Sequence, residues 1–208
     1  MAASTPEPGP PPAPPLKSIC VFCGSSPGRD PAYLDAARSI GRFIATRSIT
    51  LVYGGGKIGL MGAVADAALA AGGHVIGVLP KGLARKELAH DNLPDMRVVG
   101  SMHERKALMA SLADGFIALP GGFGTLDEFC EILTWSQLGL HAKPCAVLNV
   151  NGFFDLLLGF LDGAVARGFI RADDRSTILV DSDPAALLDR MAIFRPEPTT
   201  RWLTWNES

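Results

Sequence analysis

The sequence lacks most of the features that assign a chain to a class at a glance. No stretch of Lys and Arg is dense enough to face a nucleic-acid backbone. The formal charge over 208 residues is only −2, so polymer binding is not expected. No uninterrupted apolar run reaches the ~20 residues of a membrane-spanning helix. The first residues have neither a basic start nor an apolar h-region, so no secretory signal is expected and a cytoplasmic location is. The histidines (His74, His90, His103, His141) form no H-x-x-x-H or H-x-x-E-H pair, and no metal is expected.

Cysteine is sparse too, at four residues: Cys20, Cys23, Cys130 and Cys145. Cys20 and Cys23 make a C-x-x-C, but no second pair follows at zinc-ribbon spacing. The pair lies in the apolar run Ile19–Cys23, where positions three apart face opposite sides of a strand. Reduced, buried thiols are the expectation.

What remains is ordinary globular composition, 48% apolar and 19% charged residues, in a length that suits one domain. Met1 to Pro15 holds seven prolines, and residues 1–16 are expected to be a disordered tail. A single domain is expected over 17–195, then an irregular tail over 196–208, which Trp202 and Trp205 suggest is docked.

From Lys17 onward, short apolar runs alternate with amphipathic stretches. Strands are predicted at Ser18–Cys23, Thr50–Tyr53, His74–Leu79, Arg97–Val99, Gly115–Leu119, Pro144–Val150 and Thr177–Val180. Helices are predicted at Pro31–Arg47, Leu60–Ala71, Ser101–Leu112, Thr125–Leu138, Phe153–Arg167 and Pro184–Phe194, with Pro80–Pro94 a loop. The alternation argues an α/β fold, a doubly wound, mostly parallel sheet with helices on both faces. Ligands bind such sheets beyond the carboxyl ends of the strands, so the strand-to-helix turns carry the information.

Three of those turns are rich in Gly or Ser. Cys23-Gly24-Ser25-Ser26 places two hydroxyls at a strand end, fit either to bond phosphate or ribose or to cap the next helix. Gly54-Gly55-Gly56-Lys57-Ile58-Gly59 satisfies G-x-G-x-x-G, yet no acidic residue ends a strand about 20 residues later, as a dinucleotide site requires. It is no P-loop either, because Ile58 stands where Ser or Thr would hold magnesium. An anion or nucleotide loop is expected there. Pro120-Gly121-Gly122-Phe123-Gly124-Thr125 is the sharpest: glycines turn, and Thr125 is expected to open a helix whose free amides would cradle a phosphate. Thr125 and Glu128 also read as a capping box, which explains neither the glycines nor the proline. Glu131 shares the face of Glu128 one turn on. Two carboxylates beside an anion cradle call for a cation. Arg105, on a helix face with Met102 and Met109, is the candidate, although a solvated surface arginine is the simpler reading.

Taken together, these residues resemble the LONELY GUY family of cytokinin riboside 5′-monophosphate phosphoribohydrolases, often mislabelled lysine decarboxylases. The family's P-G-G-x-G-T-x-x-E is met from Pro120 to Glu128, and its M-x-x-R-K by Met102, Arg105 and Lys106. The resemblance spans about Ser18 to Phe194. It implies a Rossmann-like fold, a homodimer with active sites at or near the interface, and no cofactor. It implies hydrolysis of N6-modified AMP, and of AMP too, to free base and ribose 5-phosphate. Arg105 and Glu128 take the family's catalytic positions. Substrate binding falls to Pro120, Gly121, Gly122, Gly124 and Thr125, with Gly55 and Gly56 nearby, and to Ser25, Met102, Lys106 and Glu131. Two other readings compete. A non-catalytic nucleotide or cofactor binder, like the molybdenum-cofactor carriers, would have no need of an Arg105–Glu128 pair. A pyridoxal-phosphate decarboxylase would need a cofactor site, and none is recognisable.

Overall fold

The computed structural model describes residues 15–84 and 89–195. The expectations for the Pro-rich tail up to residue 14 and for Trp202 and Trp205 fall outside the described residues. Leu16, at the start of the described chain, already packs against the core.

Seven strands, β1 (Ser18–Phe22), β2 (Thr50–Tyr53), β3 (Val75–Pro80), β4 (Asp95–Val99), β5 (Gly115–Ala118), β6 (Cys145–Leu148) and β7 (Ile178–Asp181), form one sheet in the order β4-β3-β2-β1-β5-β6-β7. Every pairing is parallel. The helices are α1 (Pro31–Thr46), α2 (Gly59–Ala70), α3 (Lys81–Ala84), α4 (Met102–Leu112), α5 (Phe123–Gln137), α6 (Asp155–Ala166), α7 (Ala172–Ser176) and α8 (Pro184–Ala192). The fold is Rossmann-like and doubly wound. One face of the sheet buries Ile40, Ile44, Leu60, Val64, Leu187 and Met191 from α1, α2 and α8. The other buries Met109, Phe129 and Ile132 from α4 and α5.

Strand alternation sends Cys20 into the second layer and Cys23 into the first, so the C-x-x-C cannot converge on one ion. Burial pushes both thiols up, and that of Cys145 to about 12. These three are inert, packed sulfurs, whereas Cys130 is exposed.

Several boundaries differ from expectation for local reasons. Asp30 and Asp183 cap α1 and α8 ahead of a proline, as the sequence suggests. The helix expected from Phe153 starts instead at Asp155. Asn151 and Gly152 have positive φ, and Asn149 accepts the Phe154 amide and donates to Asp155. The Pro80–Pro94 stretch is not wholly loop, because α3 follows β3 directly and Ala89 bridges back to Gly56. Helix α7 was not anticipated.

The topology fixes where a ligand can go. After β1 the chain winds outward through β2 and β3 to β4. It then returns through α4 to β5 and winds the other way. The connections leaving β1 and β5 therefore diverge, opening a crevice at their carboxyl ends.

Candidate active site

The crevice at this switch point has a volume of ≈ 310 Å³, with Ser25, Tyr33, Leu60, Pro120, Gly121 and Phe153 among its walls. Gly24 donates its amide to the Pro120 carbonyl at 3.0 Å, tying the turn after β1 to the turn after β5. Gly121 is obligatory here: a Cβ would overlap the Thr125 hydroxyl and come within 2.9 Å of the Gly24 nitrogen. Gly122 and Gly124 are different, since a Cβ on either would meet nothing within 4 Å. They leave the main chain open on that side.

Helix α5 begins two residues earlier than the sequence suggests. Gly122 is the extended N-cap, and Leu126 donates to its carbonyl at 3.1 Å. Thr125 is thus the third helical residue and does not open the helix, and the capping-box reading of Thr125 and Glu128 fails. The amides of Phe123, Gly124 and Thr125 have no acceptor within the helix and lie at its positive end. The side-chain cap in this region is Ser101 at the start of α4, with Glu104 bonding one residue ahead of it. The Ser101 hydroxyl accepts the Glu104 amide at 3.1 Å, and Glu104 reaches back to the Gly100 amide at 2.7 Å. It sets the start of α4 and hence the direction of Arg105.

Glu128 is engaged elsewhere. Arg105 donates from Nη1 to Glu128 Oε1 at 2.5 Å and from Nε to the Val78 carbonyl at 3.0 Å. Arg105 is 7% and Glu128 8% exposed, so this arginine is not a surface residue. The pair is desolvated but not sealed. Burial pushes the Glu128 carboxyl above the ordinary carboxylate range, and the adjoining guanidinium offsets part of that rise. The next residue of α4, Lys106, bridges Asp127 and Glu131, each at 3.1 Å. Helices α4 and α5 are thereby joined by three ionic contacts from two adjacent cations, Arg105 and Lys106, the positive charge that the paired carboxylates called for. Met102 is 45% exposed at the start of α4.

The second glycine turn serves packing. Leu60 donates to Gly24 at 3.0 Å, so the start of α2 is spent on the first turn. Gly59, at φ +63°, lies against the Ser25 backbone. Gly55 accepts the His90 amide at 3.0 Å, and Gly56 bridges Ala89. A Cβ on Gly54 would overlap the Arg105 guanidinium. The turn expected to bind an anion thus forms the floor under Arg105. Val78, Tyr33 and Phe153 were not anticipated as parts of this region, and Gly54 was anticipated as part of an anion loop and not as a neighbour of Arg105. Only the run of three glycines hinted at so close an approach, without naming the side chain that requires it. His141 packs against Phe116: its Nε2–H donates to the Ile132 carbonyl at 2.9 Å, and burial lowers its pKa to about 4.

A glycine-lined crevice at the switch point of a parallel sheet reaches the start of α5 at Gly122, and the same helix carries Glu128 of the desolvated Arg–Glu pair; together they define an α/β protein with a candidate ligand site and acid–base potential. A family profile described as "Possible lysine decarboxylase" matches residues 61–191. The cytokinin riboside 5′-monophosphate phosphoribohydrolase LOG of Oryza sativa subsp. japonica is 50% identical over 182 residues, 88% of this chain and 75% of its own. A cytokinin riboside 5′-monophosphate phosphoribohydrolase of Arabidopsis thaliana is 47% identical over 194 residues, 92% of this chain and 89% of its own. The chain belongs to the LONELY GUY family.

Among solved structures, the molybdenum cofactor binding protein of Rippkaea orientalis has a TM-score of 0.64 at 24% identity, covering 83% of this chain and 93% of its own. The molybdenum cofactor carrier protein of Chlamydomonas reinhardtii gives 0.63 at 23%, covering 84% and 96%. At these identities the likeness is one of fold.

Proposed function

We propose that the chain hydrolyses the N-glycosidic bond of N6-modified AMP, such as isopentenyladenosine monophosphate, and of AMP itself, giving the free base and ribose 5-phosphate. The observation that carries this is the buried Arg105–Glu128 contact, held beside the open helix end that follows Gly122. A non-catalytic carrier has no use for a desolvated ion pair at that place. The phosphate lies on the amides of Phe123 to Thr125, with Pro120, Gly121, Gly122, Gly124, the Thr125 hydroxyl and Ser25 around it. The ribose then extends toward Glu128, bordered by Met102, Lys106 and Glu131. Gly55 and Gly56 contribute through the floor under Arg105.

Breaking C1′–N9 leaves the electron pair on the base and positive charge on the sugar. As in other glycoside hydrolyses, an ionised carboxylate stabilises that charge and orients the attacking water. The water oxygen bonds to C1′, and one of its protons ends on the base. Arg105 keeps the Glu128 carboxylate oriented and offsets negative charge. The phosphate supplies binding energy remote from the scissile bond. Chromatography of the products tests the reading. Isopentenyladenosine monophosphate and AMP yield base and ribose 5-phosphate, whereas the nucleosides yield little. Intact nucleotide after prolonged incubation would refute it.

The same proposal includes a cytoplasmic homodimer. Among the described residues no helix is long and apolar enough to cross a membrane. Helix α6 has no buried residue in the single chain, yet its sequence is DLLLGFLDGAVA. Leu156, Phe160 and nearby Phe169 are 90%, 70% and 82% exposed, an apolar face that a second copy would cover. Leu156→Glu converts the dimer to a monomer in sedimentation. An unchanged sedimentation coefficient would place the interface elsewhere.

A further inference from the structure

We propose that His90, with Asp66, is a positioning residue for Arg105, a role that rests on the reaction proposed above. The guanidinium has three neighbours that set its plane: the Val78 carbonyl on Nε, Glu128 on Nη1, and the main chain of Gly54, on which it lies. The first two belong to a strand and a helix. The third belongs to a turn, Gly54–Lys57, whose place depends on what holds it.

That turn is held by the segment 89–91. Ala89 bridges Gly56, the His90 amide donates to the Gly55 carbonyl at 3.0 Å, and Lys57 pairs with Asp91 at 3.2 Å. The Asp91 side chain is 73% exposed, so that ion pair contributes little. The buried anchor is the His90 ring, with 6% side-chain exposure and Nε2 lying 3.0 Å from Asp66 Oδ1 on α2. Through it, segment 89–91 is fastened to α2, and the turn is held between the two.

The choice of residue supports a role beyond filling space. His90 Nδ1 is buried with no hydrogen-bond partner among the described residues. A polar atom left so is destabilising, a cost that a leucine or phenylalanine covering the same turn would avoid. Only a side chain able to donate to Asp66 does what His90 does. Asp66 itself is 71% exposed on its side chain, so replacing it leaves no hole in the core.

The test compares His90→Ala, His90→Gln and Asp66→Ala with the wild type, since a glutamine amide can still donate to Asp66. Misplacing Arg105 affects the chemical step more than substrate binding, so His90→Ala lowers kcat by about 10–100-fold with KM held within about two-fold. His90→Gln recovers most of the loss, and Asp66→Ala falls in the same direction. The side-chain Nε–H resonance of Arg105 gives a readout independent of activity. Its exchange with solvent is slow in the wild type, accelerates in His90→Ala and slows again in His90→Gln. Wild-type kcat and unchanged Nε–H exchange in His90→Ala would overturn the assignment. So would a loss in thermal stability that His90→Gln restores without restoring kcat. A wild-type protein inert on nucleotides would instead sink the proposed reaction, while the Arg105 resonance would still decide whether His90 holds the guanidinium.

Discussion

Glu128→Gln yields a folded protein that no longer releases base. Glutamine fills the same volume, and its carbonyl oxygen still accepts from Arg105 Nη1, so the contact between α4 and α5 persists. What disappears is the negative charge facing the sugar and the ability to take a proton from water. The loss of one positioned acid–base group is typically ~10²–10⁴ in rate, and it falls on kcat because the phosphate grip on α5 is untouched. The same carboxyl sets the acid limb of the pH profile. Its pKa is raised by burial, and the active form is ionised, so activity falls with decreasing pH at a point above the ordinary glutamate range. The limb is absent from any residual activity of Glu128→Gln. Wild-type kcat in the variant, or an acid limb at the usual carboxylate value, removes Glu128 from the chemistry.

Arg105→Ala has the largest combined effect, on rate and on stability. Removing one member of a buried pair strands the other, at a cost of ~3–5 kcal/mol. With the guanidinium gone, burial acts on Glu128 without that offset and favours its protonated form, which places the loss toward the lower end. Protonation also silences Glu128 as a base, so activity disappears even where the fold survives. Arg105→Lys separates the two effects. Lysine keeps the charge but cannot serve Val78 and Glu128 with two nitrogens of one rigid plane. Stability is largely restored while kcat stays low. Thermal melts beside steady-state kinetics check this. Equal recovery of both in Arg105→Lys would mean that charge alone matters.

The turn after β5 stood out in the sequence because a helix cap accounts for neither its glycines nor its proline, and the sheet was legible because β and α periodicities alternate along the chain. The two S/T-x-x-E patterns show where sequence reading stops. Thr125-x-x-Glu128 and Ser101-x-x-Glu104 are the same pattern, yet only the second caps a helix. The difference lies in Gly122, which starts α5 early, and in Arg105, which claims Glu128 from a helix 23 residues away in sequence. Neither is local information. The same holds for Arg105 itself. On its own helix it reads as a surface residue, and only the return of α4 across the sheet buries it against Val78 and Gly54. The triple-glycine turn was read as an open anion loop because glycine allows both open amides and close packing. Its tertiary neighbours, His90, Met61 and Arg105, selected packing.

Binding of ribose 5-phosphate to crystals of the Glu128→Gln protein examines the site most directly. The phosphate should sit on the amides of Phe123, Gly124 and Thr125, with C1′ turned toward the residue at 128 and within one water of it. A sugar phosphate bound elsewhere, or one at α5 with its anomeric carbon facing away from that side chain, would contradict hydrolysis by Glu128.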